Sequence, residues 1–204
     1  TSADPQGNIS VEHEPASLGI FTLALAAKHA GGKVIAQVKQ RVESGSVHPR
    51  LTVVPGPLVD VIVVDPAQAQ TAVGEHPEFS GETRIALRPD PIPLTVESAI
   101  ARRAMRELRD GQLVNLGYGV PAMIPALGFP QRMHERVAYS IEHGPVGGLP
   151  EGMEAFGVSA NPDILLDSTF VFDLYDGGLL NITLLGMAQA DQEGNVNVSK
   201  FAHM

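Results

Sequence analysis

The chain has 204 residues, enough for one large domain or parts of two. Its hydrophobic fraction of 44% and charged fraction of 18% are those of a folded globular protein and exclude a disordered chain. A net charge of −9 excludes the clustered Lys and Arg of a nucleic-acid footprint, yet leaves room for an anionic ligand whose phosphates rest on helix N-termini or a few basic residues.

In chain order, residues 1–8 read as a polar turn entering a strand at Ile9-Ser10-Val11. Over residues 16–29, Leu18, Phe21 and Leu25 recur near helical spacing, and Gly31-Gly32 is a stop signal. Residues 33–42 predict a strand, Leu51-Thr52-Val53-Val54 ends at the turn Pro55-Gly56-Pro57, and residues 59–64 are an apolar run of strand length. Strand, helix, strand is α/β grammar. Residues 66–93 carry Pro66, Pro77, Pro89, Pro91 and Pro93 and predict a connection with a short element around Ile85-Ala86-Leu87. Thr95 then caps a helix in a T-x-x-S arrangement, with Glu97 in its first turn; it runs through Ile100, Ala104, Met105 and Leu108 to Gly111. Leu113-Val114-Asn115-Leu116 is the next strand, and Pro121 opens a helix. Residues 137–141 form a strand, followed by the apolar runs Ile164-Leu165-Leu166 and Phe170-Val171-Phe172 and the turn Asp176-Gly177-Gly178. Residues 179–185 are strand-like, and residues 191–195 turn a hairpin into Val196-Asn197-Val198.

With no cysteine, the chain has no disulfide scaffold, thiol nucleophile or thiolate metal site, which suits a reducing cytoplasm. The seven histidines form no H-E-x-x-H and no pair at ligand spacing, so no metal is expected. The longest apolar runs, such as Val61–Val64, stop far short of the ~20 residues of a spanning helix.

The most informative stretch is Tyr139-Ser140-Ile141-Glu142-His143-Gly144-Pro145-Val146-Gly147-Gly148. It sets one carboxylate at the end of a short apolar run, before a turn in which Gly144 can take positive φ, Pro145 fixes φ, and Gly147-Gly148 leaves backbone N–H groups uncovered by side chains. Such a glutamate faces either solvent or a bound acyl group beside amides that stabilise an oxyanion. Asn115-Leu116-Gly117-Tyr118-Gly119 reads either as a tight strand-to-helix turn or as a loop whose amides lie near a ligand at the carboxyl end of a strand. In Gly186-Met187-Ala188-Gln189, Met187 reads as packing and Gln189 as a donor to a substrate carboxylate, while Glu12, Glu14 and Asp191 read as solvated charges.

Four stretches together resemble the family I coenzyme A transferases, closest to the propionate/acetate CoA-transferase branch. They are Gly45-Ser46-Val47-His48-Pro49 with residues 54–60; Asn115-Leu116-Gly117-Tyr118-Gly119-Val120-Pro121; residues 141–148; and residues 172–178 with 185–191 and 194–201. The resemblance implies an α/β fold made of parts of two related open CoA-transferase domains: residues 1–65 close the first, 66–91 link, and 92–204 begin the second and carry the catalytic glutamate. It implies Glu142 as nucleophile, with Asn115, Gly117, Gly119, Gly144, Gly147, Gly186 and Gln189 binding CoA or substrate or supplying the oxyanion site. His143 stands where relatives carry Ser or Ala, and either fills the loop or tunes Glu142.

The implied reaction is CoA transfer between a short-chain acyl-CoA and a small carboxylic acid of the acetate, propionate or 3-keto acid type. It runs ping-pong through a glutamyl-CoA thioester, with coenzyme A as substrate and covalent intermediate and no permanently bound cofactor. An acyl-CoA hydrolase on the same scaffold is the rival within the enzyme class, and a non-catalytic CoA-binding or assembly segment the rival outside it. The resemblance further implies a cytoplasmic homo-oligomer. It also implies that the chain is a piece of a longer polypeptide, whose missing segments pair with residues 9–11, 33–42 and 179–185 and supply a further glycine-rich loop beyond Phe201.

Overall fold

In the computed structural model, which describes residues 1–200, the strands of the first 65 residues are Ser2–Ala3 (β1), Ile9–Ser10 (β2), Ile35–Val38 (β3), Gln40–Arg41 (β4), Thr52–Val54 (β5) and Val61–Val64 (β6). Phe201, which ends the fourth motif, lies outside the described residues. The turn between β1 and β2 is closed by Asp4, whose carboxylate accepts from the backbone N–H groups of Gln6 and Asn8 and from Asn8 Nδ2. The first sheet runs β4-β1-β2-β5, and β3 pairs parallel with β6 in a second. The helix Ile20–His29 (α1) packs Ala24 onto Ala3, Ile9, Val38 and Val54. It starts at Ile20 and not at residue 16, because Leu18 and Gly19 take left-handed backbone (φ 50° and 70°).

Two expectations are corrected in this half. β2 is paired on both edges by β1 and β5, so the outside strand expected for residues 9–11 is supplied within the chain. Glu12 and Glu14 are not solvated charges: Ser2 Oγ donates to Glu12, and Thr1 Oγ1 to Glu14 at 2.9 Å. Ile35, Val61, Val63 and Val64 nonetheless leave apolar surface exposed on the β3–β6 pair.

Residues 66–93 form no helix or strand, and the element expected around Ile85-Ala86-Leu87 is absent. The side-chain amide of Asn161 accepts from Ile85 N–H (2.9 Å) and donates to Ile85 C=O (2.7 Å), satisfying the backbone groups a neighbouring strand would otherwise pair. Phe79, 4% exposed, packs on Val158 and Ala160, so the connection lies against the second half of the chain.

That half begins with Val96–Met105 (α2), closed at its start by a reciprocal capping box: Ser98 N–H donates to Thr95 Oγ1 and Thr95 N–H to Ser98 Oγ. Leu113–Leu116 (β7) follows, then a 3-10 turn at Val120–Met123 running into Ile124–Gly128 (α3), Ala138–Ser140 (β8), Pro145–Val146 (β9), Leu149–Pro150 (β10), Ser159–Ala160 (β11) and Ile164–Leu165 (β12). The apolar run Phe170-Val171-Phe172 is helical, inside Ser168–Leu174 (α4), because Asp167 caps that segment and Val171 is fully buried beneath it. A wide turn at Tyr175–Leu179 leads to Ile182–Leu184 (β13), and Gln189–Ala190 (β14) and Val196–Asn197 (β15) form the expected hairpin. The main sheet runs β12-β9-β8-β7-β13, with β8, β7 and β13 parallel. Its core joins Val114, Leu116 and Tyr139 to Ala101 of α2 and Ile124 of α3. No helix among the described residues is long and apolar enough to cross a membrane.

Asp167 ties the two halves together. One carboxylate oxygen accepts from Thr169 N–H and Oγ1 at the start of α4, and the other from Ser17 Oγ (3.0 Å) and Gly19 N–H (3.1 Å) before α1. Burial pushes its carboxyl up, but these hydrogen bonds outweigh it and hold the group below its ordinary value. A depressed folded pKa stabilises fully above the unfolded value and is lost as pH falls through the folded one. Asp167→Ala should therefore cost about 1 kcal/mol at neutral pH, as loss of a helix cap does. The difference from the parent should shrink below pH ~4, the ordinary range of a carboxyl group. Denaturant midpoints across pH measure this, and a pH-independent difference would contradict the carboxylate's role.

Candidate active site

Parallel register aligns three polar residues across the main sheet: Asn115 of β7 stands opposite Ser140 of β8 on one side and Thr183 of β13 on the other. Side chains alternate along a strand, so Val114, Leu116 and Tyr139 enter the core while the Ser140–Asn115–Thr183 row occupies the other face. Glu142 lies two residues past Ser140, at the carboxyl end of the strands. It is the first central residue of a four-residue turn, which closes through Gly144 N–H to Ile141 C=O (3.1 Å) and lets the chain return as β9.

Glu142 is half-buried, and its Oε2 accepts from Asn115 Nδ2 at 3.2 Å. The same nitrogen donates to the Tyr175 phenol oxygen at 3.1 Å, and Thr183 Oγ1 donates to Asn115 Oδ1 at 2.8 Å. Ser140 Oγ lies 2.9 Å from the Tyr175 oxygen and donates to Val114 C=O at 3.1 Å. Burial pushes the Tyr175 phenol above its ordinary value; the Ser140 and Asn115 hydrogen bonds pull the other way, and the Glu142 charge adds to the rise. The phenol is therefore neutral near neutral pH.

The backbone amides of the motif are not all free. Gly144 N–H is used in the turn, Gly147 N–H donates to Tyr139 C=O (2.7 Å), and Gly117 N–H to Leu184 C=O (2.9 Å). This corrects the expectation of a bare amide at Gly147, and Gly144 N–H is engaged as well: the backbone is uncovered by side chains, but these hydrogens already hold the hairpin. Among the described residues, Gly119 and Gly148 N–H make no hydrogen bond. Gly144 has φ 149°, and a Cβ there would sit 2.5 Å from Leu166 C=O, so glycine is required. Gly119 differs: it has φ 86°, but a Cβ would meet open space.

The loop after β7 and the turn bearing Glu142 meet through Phe156, which makes edge-on contacts with Tyr118 (5.4 Å between centroids) and His143 (5.5 Å). His143 also packs its ring on Gly157, and its buried Nδ1 has no partner among the described residues. Beside it, a cavity of about 220 Å³ opens between Ala16 and Leu18 on one side and His143, Phe156 and Val158 on the other. Gly186 sits behind the Tyr118 carbonyl, with 3.6 Å available for a Cβ. Gln189 lies on the exposed β14–β15 hairpin, its Oε1 accepting from Asn197 Nδ2, and hydrogen-bonds neither Glu142 nor Asn115. Asp191, exposed, accepts from the backbone of Glu193 and Asn195 and so organises that hairpin turn. Among the described residues no cluster of three His, Asp or Glu comes together at metal-binding distance.

Sequence reasoning missed Tyr175, Thr183 and Ser140. The signal for Ser140 and Thr183 was parity with Asn115 on neighbouring strands, visible only once the pairing is known. Tyr175 stood inside the fourth motif, but nothing local marks a phenol whose partners lie 35 and 60 residues away.

No family model matches the chain. Among curated proteins, it is 41% identical over 207 residues to a caffeate CoA-transferase of Acetobacterium woodii, covering 98% of this chain and 39% of that protein. It is 35% identical over 209 residues to the acetate CoA-transferase YdiF of Escherichia coli O157:H7, covering 98% and 38%. Among solved structures, YdiF from the same organism, as a thioester complex with CoA, superposes with a TM-score of 0.86 at 33% identity, over 99% of this chain and 37% of that one. The chain thus spans about two fifths of the length of the relatives it matches. In sequence and in fold it belongs with the coenzyme A transferases.

Proposed function

We propose that the protein carrying this chain transfers coenzyme A between an acyl-CoA and a carboxylic acid, with Glu142 as nucleophile. The observation that supports it is the Asn115–Glu142 hydrogen bond at the carboxyl end of three parallel strands, where open α/β sheets keep their ligand sites. A Glu142 oxygen attacks the thioester carbonyl; the C–S bond breaks, giving an acyl-glutamyl anhydride and CoA thiolate. The thiolate attacks the glutamyl carbonyl and expels the first carboxylate, leaving a glutamyl-CoA thioester. An acceptor carboxylate then runs both steps in reverse, so no proton or water is consumed. Each tetrahedral species needs N–H donors aimed at its oxygen; Asn115 Nδ2 is one, and the N–H groups of Gly119 and Gly148 are among the backbone groups left without an acceptor.

In the same proposal, residues 1–65 and 92–204 belong to two related α/β units joined by 66–91, consistent with their separate sheets. The acyl group is short, with acetate, propionate or a 3-keto acid as acceptor. The protein is a cytoplasmic homo-oligomer, and the apolar surface on β3 and β6 packs against other segments of the same polypeptide.

Incubation with acetyl-CoA or propionyl-CoA without acceptor should add the mass of CoA, less the water lost in forming the thioester, to the peptide bearing Glu142. Initial rates should give parallel double-reciprocal lines. Glu142→Ala should abolish adduct and turnover, and Glu142→Gln should cost several kcal/mol, about the scale of a lost nucleophile. Full activity in the Ala variant would sink the assignment. Steady CoA release without acceptor would make the protein a hydrolase.

The two loop glycines separate packing from chemistry. A Cβ at Gly117 would press on Leu185 at 2.9 Å, so Gly117→Ala should destabilise the fold and lower activity only in step with that. A Cβ at Gly119 would meet no atoms, so Gly119→Ala should cost about 1–3 kcal/mol of backbone strain at φ 86°, ψ −126°, while reducing turnover well beyond that. Equal losses in the two variants, in melting point and in rate, would mean the loop is only a turn.

A further inference from the structure

We propose that Tyr175 is a positioning residue: its phenol, together with Thr183, fixes the side-chain amide of Asn115 so that an N–H always faces the Glu142 carboxylate. The inference rests on the reading of Glu142 as the nucleophile and adds the device that keeps its donor aimed.

One assignment of the hydrogens satisfies every contact at once. Ser140 Oγ carries a single hydrogen; with that hydrogen on Val114 C=O, the phenol is the donor at the 2.9 Å contact between the hydroxyls. With its hydrogen committed to Ser140, the phenol oxygen offers lone pairs to Asn115 Nδ2. Thr183 Oγ1 donates to Asn115 Oδ1, so the carbonyl end of the amide is held at the opposite side. Both Nδ2 hydrogens are then assigned, one to the phenol and one to Glu142 Oε2. A flipped amide would set Oδ1 against a carboxylate and leave the phenol oxygen without its donor, two losses in a half-buried site. Burial and the nearby Glu142 charge keep the phenol protonated, as this order requires.

The arrangement matters when Glu142 loses its charge. In the anhydride and the thioester the side chain is a neutral acyl group, and its attraction for an N–H donor weakens. The Tyr175 and Thr183 contacts do not depend on that charge, so Asn115 stays aimed at the glutamyl carbonyl while the thiolate or the acceptor attacks it. No reorganisation is needed at the moment of reaction. Tyr175 reaches this place because it opens the wide turn after α4, and its phenol meets Ser140 and Asn115 where they stand opposite each other in the parallel register.

The test measures the rate of CoA adduct formation on Glu142 in the protein carrying this chain, with and without Tyr175→Phe, Asn115→Ala and the double change. Tyr175→Phe should slow adduct formation by roughly 10- to 100-fold, less than the ~10²- to 10³-fold loss expected from deleting a donor outright. The KM for acyl-CoA should stay within about twofold, since the phenol acts on the Asn115 amide and not on the substrate. In the Asn115→Ala background, Tyr175→Phe should add less than about a twofold further effect, because its route to Glu142 is gone. Thr183→Val should slow the step as Tyr175→Phe does, and Thr183→Ser should recover most of that loss, which keeps the proposal open to refutation if the Phe variant folds poorly. Losses that multiply in the double variant, or an undiminished rate in both Tyr175→Phe and Thr183→Val, would overturn it. A parent protein that forms no adduct would instead overturn the nucleophile. In that case the crystal structure of Tyr175→Phe still decides the positioning role: Asn115 turned away from Glu142 supports it, and Asn115 unmoved refutes it.

Discussion

Parallel pairing in register is the constraint from which the site follows. Because β8, β7 and β13 run the same way, one residue from each can stand in line, and here the line is Ser140, Asn115 and Thr183. A slip of one residue would drive this polar row into the core and turn Val114 and Leu116 outward, so the hydrophobic packing of α2 and α3 enforces the polar alignment on the opposite face. The core thus fixes where the amide stands, and the strand parity that carries Ser140 to this face carries Glu142 there as well.

Polar groups set in a row on a sheet and half closed off from water must satisfy one another, since each unpaired buried donor or acceptor costs about 1–3 kcal/mol. The row meets that demand with a covering segment. Asp167 starts α4 and ties it to the loop before α1, α4 buries Val171, and the wide turn beyond it delivers the Tyr175 phenol between Ser140 and Asn115. The turn needs Gly178 in left-handed backbone (φ 84°) to leave the helix toward β13. Residues far apart in sequence therefore bear on one carboxylate.

Sequence reading was strongest where the determinants are local. Leu113–Leu116 emerged with its predicted bounds, the T-x-x-S cap at Thr95 formed both reciprocal bonds, and the Asp191 turn gave its hairpin. It was weaker where long-range contacts override local preference. Phe170-Val171-Phe172 has a strand's composition but lies behind a capping aspartate and over a buried face, and the helix prevails. Ile85 has the side chain for a strand, yet Asn161 satisfies its backbone and no ladder forms. Glu12 and Glu14 resemble surface charges in a polar stretch, but the buried β1 beside them brings Ser2 into reach and leaves Thr1 beside Glu14. At the site, Glu142 and Asn115 were legible as motif residues, whereas Ser140, Thr183 and Tyr175 depend on register and on the path of α4.

The glycines around Glu142 invite an oxyanion interpretation, yet most of their work here is geometric. The amides of Gly144 and Gly147 are spent closing the turn and holding the return strand, and a Cβ at Gly144 would strike the Leu166 carbonyl. A tight hairpin at the end of a buried strand lifts one side chain out of the sheet and spends two of its glycine amides on holding itself. In the proposed reaction, charge stabilisation at the glutamyl oxygen then falls first on the Asn115 amide, whose aim is set by contacts that do not change as the carboxylate becomes an anhydride, then a thioester, and back again. A donor fixed by neutral partners serves every step of a symmetrical transfer equally, which a reaction that must run forward and backward through the same intermediates requires.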